Sequence, residues 1–173
     1  GYYNRGLVNG LFLSSGISGD VDSTMEKQIE TVHLLRNKYG YDDYIHLKIV
    51  PGASKDSIKR AMALANRVSI NIEAATPSGL AELSSTKDYN KDILKRLSWI
   101  NSLQNKSTTY PNSTHTTQLI VGANNESDKE ILSRMEKIYE KSKDKDGKYT
   151  CQECGKKSES RYGFEIDHIN PMN

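Results

Sequence analysis

No run of apolar residues in this 173-residue chain approaches the roughly 20 needed to span a bilayer. The N-terminus also lacks the charged, apolar and small-residue regions of a secretory signal. No membrane role is therefore expected, and a cytoplasmic protein is the default. Cysteine is almost absent: Cys151 and Cys154 are the only two. Two are too few for a disulfide framework, and their Cys-x-x-Cys spacing points instead to metal binding or redox chemistry. Net charge is scarce as well. A balance of +2 does not by itself argue for nucleic-acid binding. Lys137, Lys141, Lys143, Lys145, Lys148, Lys156 and Lys157 nonetheless concentrate basic residues late in the chain, as a solvated linker or as a DNA-facing patch. What is present, 35% hydrophobic residues, is enough for one domain of ordinary size plus a small module.

Residues 7–140 alternate short apolar runs with helical patterns, the signature of successive β/α units around a parallel sheet. Strands are expected near residues 7–14, 44–50, 67–73 and 116–122. Ser23 with Glu26 forms a capping box ahead of a helix whose apolar stripe is Met25, Ile29, Val32 and Leu35 and whose end is set by Gly40. Ser54 can cap a helix carrying Ile58, Ala61, Met62 and Ala65, and Asp88 one carrying Ile93, Leu97 and Ile100. Ser127 with Glu130 repeats the capping box before Ile131, Leu132, Met135, Ile138 and Tyr139. Residues 105–113 form a polar loop, and the charged stretch 141–147 is a linker.

Alternation within the strands says more than their number. Ile45, Leu47 and Ile49 share one face while His46 and Lys48 share the other, and Val68, Ile70 and Ile72 oppose Ser69, Asn71 and Glu73. One face of the sheet is therefore polar. Parallel sheets are ordinarily covered on both faces, so His46, Lys48, Asn71 and Glu73 line a ligand cavity, or neutralise one another as a Lys48 to Glu73 pair, or stand on a face opened to water by truncation. Their place near the carboxyl ends of strands, where α/β folds build their sites, favours the cavity.

The blocks Tyr2-Tyr3-Asn4-Arg5, Asn9-Gly10-Leu11-Phe12-Leu13-Ser14-Ser15-Gly16-Ile17, Tyr44-Ile45-His46-Leu47-Lys48-Ile49-Val50-Pro51-Gly52-Ala53-Ser54, Asn66-Arg67-Val68-Ser69-Ile70-Asn71-Ile72-Glu73 and Thr117-Gln118-Leu119-Ile120-Val121-Gly122-Ala123 occur in that order. Together they resemble a radical S-adenosylmethionine family described as DNA modification or repair proteins. The likeness covers residues 2 to about 140 and implies a partial (β/α) barrel whose lumen holds S-adenosylmethionine and a [4Fe-4S] cluster. It assigns Ser14, Ser15 and Gly16 to the cofactor's amino group, Asn71 and Glu73 to its ribose or carboxylate, and Gln118 to the strand beside the adenine. Lys48 joins this cofactor-binding set. The family's three-cysteine cluster motif would precede the segment in hand. Cys151 and Cys154 cannot replace it, because a cluster with one open iron needs three thiolates.

A second resemblance covers residues 148–173. Cys151-x-x-Cys154 is followed, 13 residues after Cys154, by Asp167-His168-Ile169-Asn170-Pro171. That is similar to the opening half of an HNH nuclease finger, a ββα unit around one divalent metal. The resemblance makes Asp167 a metal ligand and His168 the general base, and makes Cys151 and Cys154 half of a structural zinc site that normally has four ligands. A rubredoxin-like knuckle with an incidental Asp-His pair is the plainer alternative. The chain is thus expected to be α/β, with a radical SAM-like half-barrel over residues 1–140, a linker over 141–147 and an incomplete HNH-like finger over 148–173. It reads as a piece of a larger coding region, since Gly1 is no natural start, and is expected to be inactive alone. The alternatives are a DNA-cutting HNH nuclease using the half-barrel as a platform, and an inert binding module.

Overall fold

The computed structural model describes residues 1–106 and 113–141, and the backbone of 149–150 and 157–158. Four strands, β1 (Gly10–Leu13), β2 (Tyr44–Lys48), β3 (Arg67–Ser69) and β4 (Thr114–Thr116), form a parallel sheet in the order β1-β2-β3-β4. Between and after them lie α1 (Val21–Asn37), α2 (Lys55–Leu64), α3 (Pro77–Leu83), α4 (Lys95–Lys106) and α5 (Asp128–Lys141). Each new strand adds on the same side of the previous one. Crossovers between parallel strands are right-handed, so a sheet that grows in one direction carries its connecting helices on one face. In agreement, α1 packs on α2 and α2 on α4.

The apolar register drives this arrangement. Ile45 and Leu47 of β2, with Val68 of β3 and Ile70 beyond it, are fully buried in one cluster with Met25, Ile29 and Val32 of α1 and Ile58, Ala61 and Met62 of α2. Each such aliphatic side chain contributes about 1.5–3 kcal/mol on leaving water. The opposite face takes the alternate residues. His46 pairs in register with Phe12 and Arg67, and Lys48 with Ser69, which pairs with Thr116.

Capping chemistry fixes the helix starts. Ser54 accepts from Ser57 N at 3.1 Å and Asp88 from Lys91 N at 2.6 Å, both as expected from sequence. The Ser127–Glu130 box is complete: Glu130 accepts from Ser127 N at 2.8 Å, and Ser127 Oγ accepts from Glu130 N at 3.3 Å. The first helix differs from expectation. It starts three residues earlier, with Asp20 as its cap accepting from Ser23 N at 2.8 Å; Ser23 is thereby drawn into the first turn, and an aspartate caps at least as well as a serine. The Asp88-capped segment winds first as a π-helix, Tyr89–Leu94, before continuing as α4. Helix α3 was not expected. Its signal is Thr76-Pro77, a side-chain cap accepting from Gly79 N at 3.0 Å, followed by a proline at the first helical position.

The strands are shorter than the expected runs, and the last is displaced: β4 occupies Thr114–Thr116 where a strand over 116–122 was expected, leaving Leu119 with a single bridge to Glu73. Ser69 pairs with Thr116, yet the next bridge joins Glu73 to Leu119, four residues on against three. The extra residue on the β3 side is a bulge. Ile72 N and Glu73 N both donate to Gln118 O, at 3.0 and 3.2 Å, and Glu73 takes φ 62. Beyond residue 141, the described backbone is an antiparallel pair, β5 (Tyr149–Thr150) with β6 (Lys157–Ser158). Among the described residues, no helix is long and apolar enough to cross a membrane.

Candidate functional site

The face of the sheet away from the helices carries the candidate site. Phe12 stands 57% exposed beside His46, their ring centroids 4.8 Å apart. His46 Nε2 lies 2.8 Å from Ser69 Oγ, and Arg67 Nε donates to Thr114 Oγ1 at 3.1 Å. The imidazole of His46 is held below its usual pKa, first by burial and then by the charges of Arg67 and Lys48. It is therefore neutral at pH 7. An aromatic ring, a neutral imidazole, two cations and a row of hydroxyls make a surface suited to a flat heterocycle carrying an anionic group.

At the carboxyl ends of the strands, Ser14, Ser15 and Gly16 form the exposed segment after β1. Gln28, 4% exposed inside the apolar stripe of α1, ties this segment to β2: with its amide turned to match donors with acceptors, it donates to Lys48 O at 2.9 Å and accepts from Ser15 N at 3.2 Å. Sequence reasoning missed Gln28. Its position three residues after Met25 and one before Ile29 was the available signal, because a glutamine at that register is buried and must find partners.

The second group gathers one strand further along. Asn71 keeps a buried Oδ1 without a hydrogen-bond partner among the described residues. Glu73 is partly buried at its left-handed backbone position, and Gln118 has an exposed side chain while its carbonyl holds the bulge. The Lys48 to Glu73 pair considered from sequence does not form. Glu73 meets Lys87 Nζ instead, at 3.8 Å, because the bulge rotates it off the strand register of Lys48. The structure thus joins Ser15 with Lys48 through Gln28, and Glu73 with Gln118 through the backbone, in strand-end positions; it shows no bond from Asn71 Oδ1 to either group among the described residues. Cys151, Cys154, Asp167 and His168 lie outside the described residues. Among the described residues no group of three or more His, Cys, Asp or Glu side chains could hold a metal ion.

Fold and site together define an α/β chain with sequential parallel strands, helices on one face and a polar, partly open second face. No family model matches the chain, and no curated protein or solved structure matches it at a significant level.

Proposed function

We propose that residues 1–140 are the S-adenosylmethionine-binding wall of a radical SAM-type half-barrel, acting in DNA modification or repair. The observation that carries this reading is the strand order β1-β2-β3-β4 with a polar face opposite the helices. A doubly wound sheet reverses its order and buries both faces, whereas barrel units progress in one direction and turn a single face to the lumen. The Oδ1 of Asn71, buried and without a partner among the described residues, is an acceptor that a ribose hydroxyl or ammonium group would satisfy once the side chain turns toward it. Lys48 offers a cation for a carboxylate, and the segment 14–16 offers hydroxyls and carbonyls for the amino group. These donors suit S-adenosylmethionine. They do not suit a [4Fe-4S] cluster, since the whole chain has two cysteines and such a cluster takes at least three thiolates. The proposal for this chain is accordingly cofactor binding and orientation, with no radical step assigned to its own residues.

Isothermal titration of the chain with S-adenosylmethionine tests the reading. Saturable binding that weakens at least tenfold in Asn71→Ala and in Lys48→Ala is expected. Absence of heat at millimolar cofactor sinks it.

A second reading concerns residues 148–173. The antiparallel pairing of Tyr149 with Ser158 and Thr150 with Lys157 brackets the sequence that contains Cys151 and Cys154, as the two strands of a ββα finger would. It favours a partial HNH nuclease module in which zinc is held through Cys151 and Cys154, a second divalent metal is held through Asp167, and His168 serves as base against DNA. On that reading the half-barrel is a docking platform. Divalent-metal-dependent plasmid nicking, lost in His168→Ala, would support it. An inert binding module predicts neither cofactor heat nor nicking.

A further inference from the structure

A second polar concavity lies between the segment Ala75–Thr76, which leads into α3, and the first turns of α5. It is a cleft of about 220 Å³ lined by Ala75, Thr76, Lys129, Glu130, Ser133, Arg134 and Lys137. Three of these side chains are cationic against a single carboxylate, and that carboxylate is already engaged. Glu130 accepts from both Ser127 N and Ser127 Oγ at 2.8 Å. The neighbouring Glu126 is likewise turned to backbone N–H groups, those of Gly122 and Asn124.

Arg134 is positioned rather than free. Its Nε donates to Ala75 O at 2.8 Å, and its guanidinium carbon sits 5.0 Å from the centroid of the Tyr89 ring. Tyr89 is itself buried and fixed, donating through its hydroxyl to Ala74 O at 2.9 Å. A guanidinium held on one edge by a carbonyl and on its face by an aromatic ring has lost its rotamer freedom before a ligand arrives. The Nε bond uses one of about five N–H donors in the planar fork that matches an oxyanion. Ser133 adds a hydroxyl to the same cleft, and Lys129 and Lys137 add charge from its rim. The volume is below the roughly 300–1,000 Å³ of sites that enclose drug-sized ligands. It suits a compact tetrahedral anion and excludes a whole cofactor.

We infer that this cleft binds the phosphate group of a small phosphomonoester, with Arg134 as the oriented ligand and Lys129 and Lys137 as electrostatic support. The inference is independent of S-adenosylmethionine binding, because none of the residues lining the cleft belongs to the set proposed to hold that cofactor.

The test is a nuclear magnetic resonance titration of the isotopically labelled chain with inorganic phosphate, a nucleoside monophosphate and a short DNA duplex, at constant ionic strength. Expected are saturable shifts of the Thr76, Ser133 and Arg134 resonances with phosphate and with the nucleoside monophosphate. Affinity should fall at least tenfold in the Lys129→Ala/Lys137→Ala double variant, whose substitutions are on the exposed face of α5 and leave the Arg134–Tyr89 contact in place. Arg134→Gln should abolish the shifts; if that variant loses its fold, the lysine variant decides. Absence of saturation with phosphate, or unchanged affinity in the lysine variant, overturns the proposal. Shifts with the duplex but not with phosphate overturn it as well, in favour of contact with a nucleic-acid backbone.

Discussion

His46 Nε2 and Ser69 Oγ lie 2.8 Å apart, joining β2 to β3 on the sheet face opposite the buried apolar register of Ile45, Leu47 and Val68. The imidazole has Arg67 and Lys48 as cationic neighbours and burial as the main reason for its lowered pKa. Its proton titration, followed by nuclear magnetic resonance, should therefore have a midpoint below the ordinary value of about 6.5. Arg67→Gln and Lys48→Gln should each move the midpoint up. A midpoint above that of a free histidine would show that the face is not arranged as described.

The pH dependence of stability should be dominated by a different histidine. His115 donates from Nδ1 to Gln104 Oε1 at 2.5 Å; the tautomer follows because Gln104 Nε2 is already donating to Ser113 O at 2.8 Å. Burial lowers the His115 pKa to about 4. The unfolded chain then binds the proton more readily than the folded one, so the stabilisation is fully present above about pH 6.5 and is lost as pH falls through about 4. One such group contributes at most about 3 kcal/mol, and less here because the ring retains some exposure. Urea denaturation at a series of pH values should show this loss, and His115→Gln should flatten it.

Glu73 separates a backbone role from a ligand role. Its φ of 62 suits glycine better than a branched or charged residue. Glu73→Gly should leave stability within about 1 kcal/mol of the parent, since relief of strain offsets the added freedom of the unfolded chain and the lost Lys87 pair. The same change should weaken S-adenosylmethionine binding if the carboxylate meets the ligand. Calorimetry and thermal melting on one sample distinguish the two effects.

At the amino end of the sheet, Asn66 Oδ1 accepts from Ile45 N and from Arg36 Nη2, each at 2.8 Å. Arg36 also reaches Tyr41 O at 2.6 Å and Asp43 O at 2.8 Å, so one side-chain pair locks the end of α1 to the starts of β2 and β3. Asn66→Ala leaves a strand N–H and part of a guanidinium without partners, and should destabilise by about 2–4 kcal/mol. Asn66→Asp keeps the acceptor and should lose less. Equal losses in the two variants would argue against the bond as the cause.

Leu47 is fully buried at the centre of the helix-covered face. Leu47→Ala should cost about 2–5 kcal/mol by chemical denaturation, through lost burial and the cavity left behind. Phe12→Ala, on the open face, should cost far less, because 57% of that residue is already exposed.

The sequence by itself determined what local chemistry can determine. Period-two alternation placed Ile45 and Leu47 opposite His46 and Lys48, since side chains on a strand must alternate. Ser54, Asp88 and Ser127 announced helix starts because a cap satisfies an N–H only three residues away. The rhythm of β and α units gave a parallel sheet in chain order. Tertiary structure decided the rest. Whether Asp20 or Ser23 caps α1 depends on where the helix can begin once Met25, Ile29 and Val32 are seated on the sheet. The bulge at Glu73 depends on the mismatch between β3 and β4, two segments far apart in the chain, and it sends Glu73 to Lys87 instead of Lys48. The stacking of Arg134 on Tyr89, across 45 residues of chain, has no local signature. It exists because a buried ring and two backbone carbonyls, brought together by the fold, leave one place for a guanidinium to rest.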